Sequence, residues 1–424
     1  MSALPLRGLL TAETFTITAT RMSMVVIPWF VLVTTGSATQ TGLVSAAELL
    51  PLVVFKVLGG PLTDRLGPRR VACVCDLGSA AVFGLIPLLH LRGALPFWAL
   101  LLLVAAGGAL RGPADGAKQA MIPGVTELAR VPLERVTGYH GAIDRGSAMA
   151  GAAAAGLLIT QLGAPRTLFV VAACFVLGAA ALGATTAAAS RPSAQRDTRE
   201  PYLRSLLGGW DFIRHDAVLL GISGMVAVTN LLDLAWSAVL FPVWARETGA
   251  GAAGISLLLT VFSAAATVSS LAAARWAHRL PRFRTYVIGF LVTGPVRFAV
   301  LTLGAPLWVV VTAFAVTGAA SGFLNPILGA VIFERIPAGL TGRVSALSAS
   351  LGWSLMPLGG LLGGLLASGL GWRWALWALA GAYLVATLAP LVVPSFREFD
   401  TRPAPPVLSD QADASWPAQE PAAQ

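Results

Sequence analysis

Gly59-Gly60-Pro61-Leu62-Thr63-Asp64-Arg65-Leu66-Gly67-Pro68-Arg69-Arg70 is a short polar turn set between two long apolar runs. Glycine and proline let the backbone turn sharply, while Asp64, Arg65, Arg69 and Arg70 put charge where a helix has to leave lipid. A turn of this kind belongs between two membrane-spanning helices on their cytoplasmic side, and the rest of the chain has the composition to match.

Of the 424 residues, 56% are hydrophobic and only 12% charged, with a mean hydropathy of +0.76. Those values exclude an ordinary soluble globule and point to a polytopic membrane protein. A span takes roughly 20 apolar residues, so a chain of this length with short loops holds about a dozen. The runs are rich in Ala and Leu without two-residue alternation, which excludes a β-barrel. The net charge of +9 and a pI near 10.4 come from bases scattered through short loops. That distribution fits membrane orientation and an anionic inner leaflet, not nucleic acid. Cys73, Cys75 and Cys174 lie in apolar runs without a metal-like partner set, as free buried thiols do. The N-terminus has no charged segment followed by an apolar core and cleavage site, so it reads as an uncleaved first span.

Apolar runs bounded by Pro, Gly or charge predict an all-α protein of twelve transmembrane helices, near 8–34, 41–62, 71–90, 96–118, 137–163, 166–188, 217–244, 252–276, 285–303, 306–330, 343–369 and 372–393. One set of loops holds most of the arginines, among them Arg65, Arg69, Arg70, Arg130, Arg282 and Arg335. The opposite loops hold only Arg92, Arg166, Arg246 and Arg373. Both termini are therefore expected in the cytoplasm of a cell-membrane protein. The longest loop separates an N-terminal bundle, 1–189, from a C-terminal bundle, 217–393. Within the linker, 190–216, Leu203, Leu206, Leu207, Trp210 and Ile213 share one face of an amphipathic helix suited to the inner leaflet. Residues 394–424 shift to Pro, Ala, Asp and Gln, the composition of a disordered cytoplasmic tail. A shift of 214 residues lays Pro28 on Pro242 and Arg65-Leu66 on Arg279-Leu280, an internal repeat between the halves.

Gly60-x-x-x-Asp64-Arg65-x-Gly67-x-Arg69-Arg70 resembles the signature between the second and third helices of the major facilitator superfamily of secondary transporters, departing from it at Pro68. The stretch from Arg111 to Pro123, followed by Gly124-Val125, resembles the end of the fourth span in the macrolide-efflux and enterobactin-exporter-like branch. With Pro28-Trp29-Phe30 and the loop from Pro337 to Arg343, the resemblance covers most of residues 10–393. It implies two six-helix bundles related by a pseudo-two-fold axis along the membrane normal, working by alternating access. It also implies that the loop of Gly60, Asp64, Arg65, Gly67, Arg69 and Arg70 latches one conformational state against the eleventh span. The fifth span departs from the Gly-Pro-x-x-Gly-Gly motif common in proton-coupled antiporters of the superfamily: Gly151-Ala152-Ala153-Ala154-Ala155-Gly156 has no proline.

Ionisable groups inside spans are expensive in lipid and mark function. Arg21 lies about 20 Å along the first helix, at roughly 1.5 Å per residue, and is expected to line a central cavity. Asp233, with Asn230 one turn earlier, sits comparably deep on the seventh span and is the leading proton or cation site, with Arg21 as its expected neighbour. A structural ion pair is the alternative for Asp233. Glu48 and Asp144 are further candidates on the substrate or proton pathway. Arg145 is expected to pair nearby or reach the cytoplasm, Arg297 on its peripheral span to pack or find a partner in the other half, and Lys56 to snorkel. Asp76, Arg111 and Asp115 are expected to form a cytoplasmic charge network with Arg65 and Arg69, which adds Arg111 and Asp115 to the gate. Gly108, Gly112 and Gly116, Gly151, and the eleventh-span set Gly359, Gly360, Gly363 and Gly364 allow close helix contact.

No enzymatic constellation is legible. Ser223 in Gly221-Ile222-Ser223-Gly224 would need a histidine base on another buried helix, and the only later histidine, His278, sits in a basic loop. There is no HExxH pair, and neither Lys56 nor Lys118 follows the glycine pattern of a phosphate-binding loop. The expected function is secondary transport without cofactor or metal: proton-coupled efflux of an amphiphilic drug, macrolide or siderophore-like molecule by a monomer. An uptake carrier for a nutrient and a non-transporting receptor or scaffold are the rival readings. Neither buried Arg21 nor buried Asp233 serves a scaffold.

Overall fold

The computed structural model describes residues 4–131, 133–186, 210–276, 280–336, 341–393 and 396. The first half is six helices: α1 Leu4–Thr35, α2 Ala38–Leu66, α3 Pro68–Leu91, α4 Phe97–Ala129, α5 Leu133–Leu162 and α6 Ala164–Thr185. In the second half, α7 runs over Ala217–Ala235 and continues through a π-helical turn, Trp236–Leu240, into Phe241–Glu247. Then follow α8 Gly251–Trp276; α9 in two pieces, Arg282–Thr293 and Pro295–Val300; and α10 Leu307–Arg335. The chain ends in α11, Thr341–Trp353 and Met356–Leu370, and α12, Trp372–Val392. All twelve expected spans are present. Ten spans among the described residues are long and apolar enough to cross a membrane by length and composition. The other two have visible reasons to fall short: α5 carries Asp144 and Arg145 in mid-helix, and α9 is interrupted at Gly294-Pro295.

Each interruption has a local cause. Pro242 has no N–H for the carbonyl four residues back, and the Phe241 N–H reaches the Trp236 carbonyl, so α7 widens by one residue just beyond Asp233. Pro295 and Pro357 lie in the first turns after the breaks in α9 and α11. At the turn between α2 and α3, Gly67 has φ +85° and its N–H bonds the Thr63 carbonyl at 3.0 Å. A side chain there would meet open space, so the backbone angle alone demands glycine.

The halves have the same neighbour plan. α1 packs on α5 and α6 as α7 packs on α11 and α12; α2 lies along α4 as α8 lies along α10; α3 meets α4 and α6 as α9 meets α10 and α12. The close pairs are made by glycines four residues apart. A Cβ at Gly108 or Gly112 of α4 would strike the α2 backbone at Glu48 or Leu52 and Lys56. One at Gly318 or Gly322 of α10 would strike α8 at Phe262 or Ala266. In lipid, such close packing supplies the cohesion that burial supplies in water. Gly116, grouped with them on spacing, faces nothing within 4 Å.

The bundles meet chiefly where α2 packs on α11 and α5 on α8. Their closest backbone approaches cluster at the end carrying the α1–α2 turn. There Gly360 abuts the Gly42 carbonyl, Gly364 lies on Thr39, and Gly156 lies on Ser256 and Ala252. Of the expected linker helix, 210–215 are helical and Ile213 is buried against Leu219, Ile336 and Val344. Leu203, Leu206 and Leu207 lie outside the described residues. So does the expected disordered tail apart from Phe396, which is buried against Gly221 with its ring 6.4 Å from that of Tyr286. The three cysteines are free, with Cys75 buried and Cys73 and Cys174 partly so.

Candidate functional site

Between the bundles lies a cavity of about 660 Å³. Its first-half wall is charged. From α1 come Glu13, Thr16, Thr20 and Arg21; from α2, Ser45, Glu48 and Lys56; from α4, Arg111, Asp115 and Lys118; from α5, His140 and Asp144. The second-half wall is mostly apolar: Leu234, Ile255, Leu259, Phe262, Trp353 and Met356, with Asp233 its one charged residue among those described. Pro28 and Pro242, matched by the internal repeat, both line it.

The charges reach their places through the helix pairs described above. Gly108 and Gly112 bring α4 onto α2, and Arg111, between them, pairs with Glu48 at 3% and 8% side-chain exposure. Lys118 lies two turns further along α4. Its Nζ donates to Asp76 Oδ1 at 2.9 Å and to Thr16 Oγ1 at 3.0 Å, tying α4 to α3 and α1. Gly151 presses α5 onto α1 beside Arg21, whose Nη2 donates to Asp144 Oδ1 at 2.7 Å. His140 Nδ1 lies 3.0 Å from Glu13 Oε2, one turn closer to the start of α5. In the second half Arg297, on the short piece of α9, pairs with Asp233. Its guanidinium carbon sits 4.7 Å from the Trp236 ring centre and 4.9 Å from that of Phe298, on the faces where a cation is favoured. Asn230 Nδ2 donates to the Gly352 carbonyl at 2.9 Å, at the break in α11.

Arg21, Asn230, Asp233, Glu48 and Asp144 thus all line one cavity, but their partners differ from the sequence reading. Asp233 pairs with Arg297 of its own bundle, because α9 ends its first piece at Thr293 and turns Arg297 inward. Arg21 is taken by Asp144. The expected cytoplasmic network does not form among the described residues. Arg111 is held by Glu48 and Asp76 by Lys118, while Arg69 donates to the Gly183 carbonyl and Arg65 and Arg70 are exposed. Arg111 and Asp115 lie in the cavity wall, since α4 does not stop near Lys118 but stays helical to Ala129, with Arg111 and Lys118 paired inside the bundle. Of Gly60 and Asp64 only the helical backbone is described. Lys56 does not simply reach for the surface: its Nζ lies 4.7 Å from the Trp353 ring centre, across the bundle interface. Arg145 donates to Ser270 of α8.

Glu13, His140, Lys118 and the role of Arg297 escaped the sequence reading. One signal was available, since Glu13, Thr16, Thr20 and Arg21 fall at helical spacing on a single stripe of α1. The others depended on which helices are neighbours.

A profile of the Major Facilitator Superfamily matches residues 9–237 and 224–420. The chain belongs to the major facilitator superfamily. Over 400 residues it is 30% identical to the multidrug efflux pump Tap of Mycobacterium tuberculosis, covering 93% of both chains. Macrolide efflux protein A of Streptococcus pyogenes is 24% identical over 395 residues, 90% of this chain and 93% of that one. The crystal structure of the nucleoside transporter NupG shares the fold, with a TM-score of 0.73 at 14% identity over 95% of this chain and all of the other. The superfamily member described here is a multi-pass membrane transporter for a small molecule, not an enzyme.

Proposed function

We propose that the protein exports amphiphilic small molecules across the cell membrane by alternating access, driven by proton entry, with both termini in the cytoplasm. The observation that carries this reading is the divided cavity. Paired charges and hydroxyls on one wall face Leu, Ile, Phe, Trp and Met on the other, which suits a molecule with a polar side and an apolar side. The names of the relatives, multidrug and macrolide efflux proteins, support the direction. The distribution of arginines in the loops supports the orientation.

Asp233 is the proton carrier in this reading. Among the described residues it is the one carboxylate the second-half wall offers the cavity, and its buried arginine partner gives the ionised form a place to rest. Glu48 and Asp144 are the controls. Cells making the protein should accumulate several-fold less of a macrolide or a cationic dye than cells without it, and an uncoupler should abolish the difference. Asp233→Asn should bind and exchange substrate but fail to move it against a gradient. Unchanged accumulation in the presence of uncoupler would end the proton-driven reading, and full activity of Asp233→Asn would move the coupling site elsewhere.

A further inference from the structure

A second, smaller chamber of about 130 Å³ opens beside the central cavity between α5, α8 and α10. The two share Asp144, Ala148, Phe262 and Ser263, so the chamber is an annex and not a separate pocket. Its lining is unlike the apolar wall it adjoins. Ser263, Thr267 and Ser270 come from one face of α8, Ser321 and Asn325 lie one turn apart on α10, and Arg145 enters from α5. The glycine contacts of α10 create it. Gly318 and Gly322 press α10 onto the α8 backbone, and the next residues round the helix, Ser321 and Asn325, are thereby turned to the space left beside α5.

Some of these groups are already engaged. Thr267 Oγ1 donates to the Ser263 carbonyl at 2.8 Å, and Arg145 donates to Ser270. The Ser263 and Ser321 hydroxyls and the Asn325 amide are left to face the annex. Each hydroxyl both donates and accepts, and the Asn325 amide carries an acceptor oxygen beside its N–H donors. Donors and acceptors are therefore interleaved. A carboxylate could use only the donors and would face Asp144. Hydroxyl groups, which donate and accept, satisfy both kinds at once. The volume is that of roughly four waters at ~30 Å³ each, so the annex takes the hydroxylated edge of a substituent and not a whole amphiphile.

We infer that the annex is a subsite for a polyhydroxylated, sugar-like substituent of the transported molecule, whose apolar body occupies the central cavity. The inference rests on the reading of that cavity as a site for an amphiphile. It is tested on the purified full-length protein in lipid nanodiscs, by fluorescence polarisation with two probes: an alkyl-substituted hydroxycoumarin and its β-glucoside. The wild type should bind the glucoside about tenfold more tightly than the aglycone. Ser321→Ala with Asn325→Leu should remove that preference while leaving aglycone affinity within about twofold, which also shows that the variant is folded. Equal wild-type affinity for the two probes, no binding of either, or a variant that keeps the preference would overturn the subsite. Parallel export assays keep the two readings apart: glucoside preference without export of either probe would sink the export reading and leave the annex standing.

Discussion

Arg111 and Arg21 are both cavity arginines paired with carboxylates, yet their surroundings make them energetically different. The Arg111–Glu48 pair is 3% and 8% exposed, whereas the Arg21–Asp144 pair is 35% and 46% exposed. Removing one member of a deeply buried pair strands the other without water, at a cost of about 3–5 kcal/mol. Removing one member of a hydrated pair costs about 0–1 kcal/mol. Arg111→Met should therefore lower the thermal midpoint of the detergent-purified protein by several degrees, and Arg21→Met should barely move it. The double variant Arg111→Met with Glu48→Leu should recover most of the loss, because two apolar groups of similar size leave no orphaned charge. Equal midpoints for Arg111→Met and Arg21→Met would show that water reaches Glu48. Much of this scale was readable in the sequence as a list of costly residues, since Arg21, Glu48, Asp144 and Asp233 stand out in apolar runs. Their pairing was not, because Arg297 and Asp233 are 64 residues apart and Arg21 and Asp144 are 123 apart.

Among the helices, those with glycines at four-residue spacing set the geometry. Gly42 and Gly360 let α2 and α11 touch backbone to backbone at the end of the molecule near the α1–α2 turn, and a Cβ on either meets the other's carbonyl. A bulky side chain must force the helices apart, and alternating access requires this contact to form and break. Gly360→Val should cut substrate export at least tenfold at normal membrane abundance. It should also raise the reactivity of a cysteine placed at Ser45 toward a membrane-impermeant maleimide. Wild-type export and an unreactive Ser45→Cys would mean the contact is dispensable packing. The small residues of α11 were visible in the sequence, but not their partner: small-residue stripes occur on α4, α5 and α11 alike, and Gly116 shows that spacing does not by itself imply contact.

For the whole molecule, the arrangement is two copies of one six-helix plan meeting around a cavity. The arginine distribution supports the proposed orientation with both termini in the cytoplasm, and the test is chemical. In intact cells a cysteine at Arg282 should stay protected from an impermeant thiol reagent, and one at Arg166 should react; labelling at 282 from outside would invert the topology. The sequence by itself determined that the chain crosses the membrane about a dozen times, that its halves repeat, and that a few charges are kept inside at a cost. Length, hydropathy and loop charge are local quantities that lipid and the membrane surface read directly. Only the tertiary structure decided which charges neutralise one another, that α4 carries its charged turn onward to Ala129, and that α5, α8 and α10 leave a hydroxyl-lined annex beside the cavity. Those features depend on which helix faces come together, and that is fixed by backbone approach at glycines far apart in the chain.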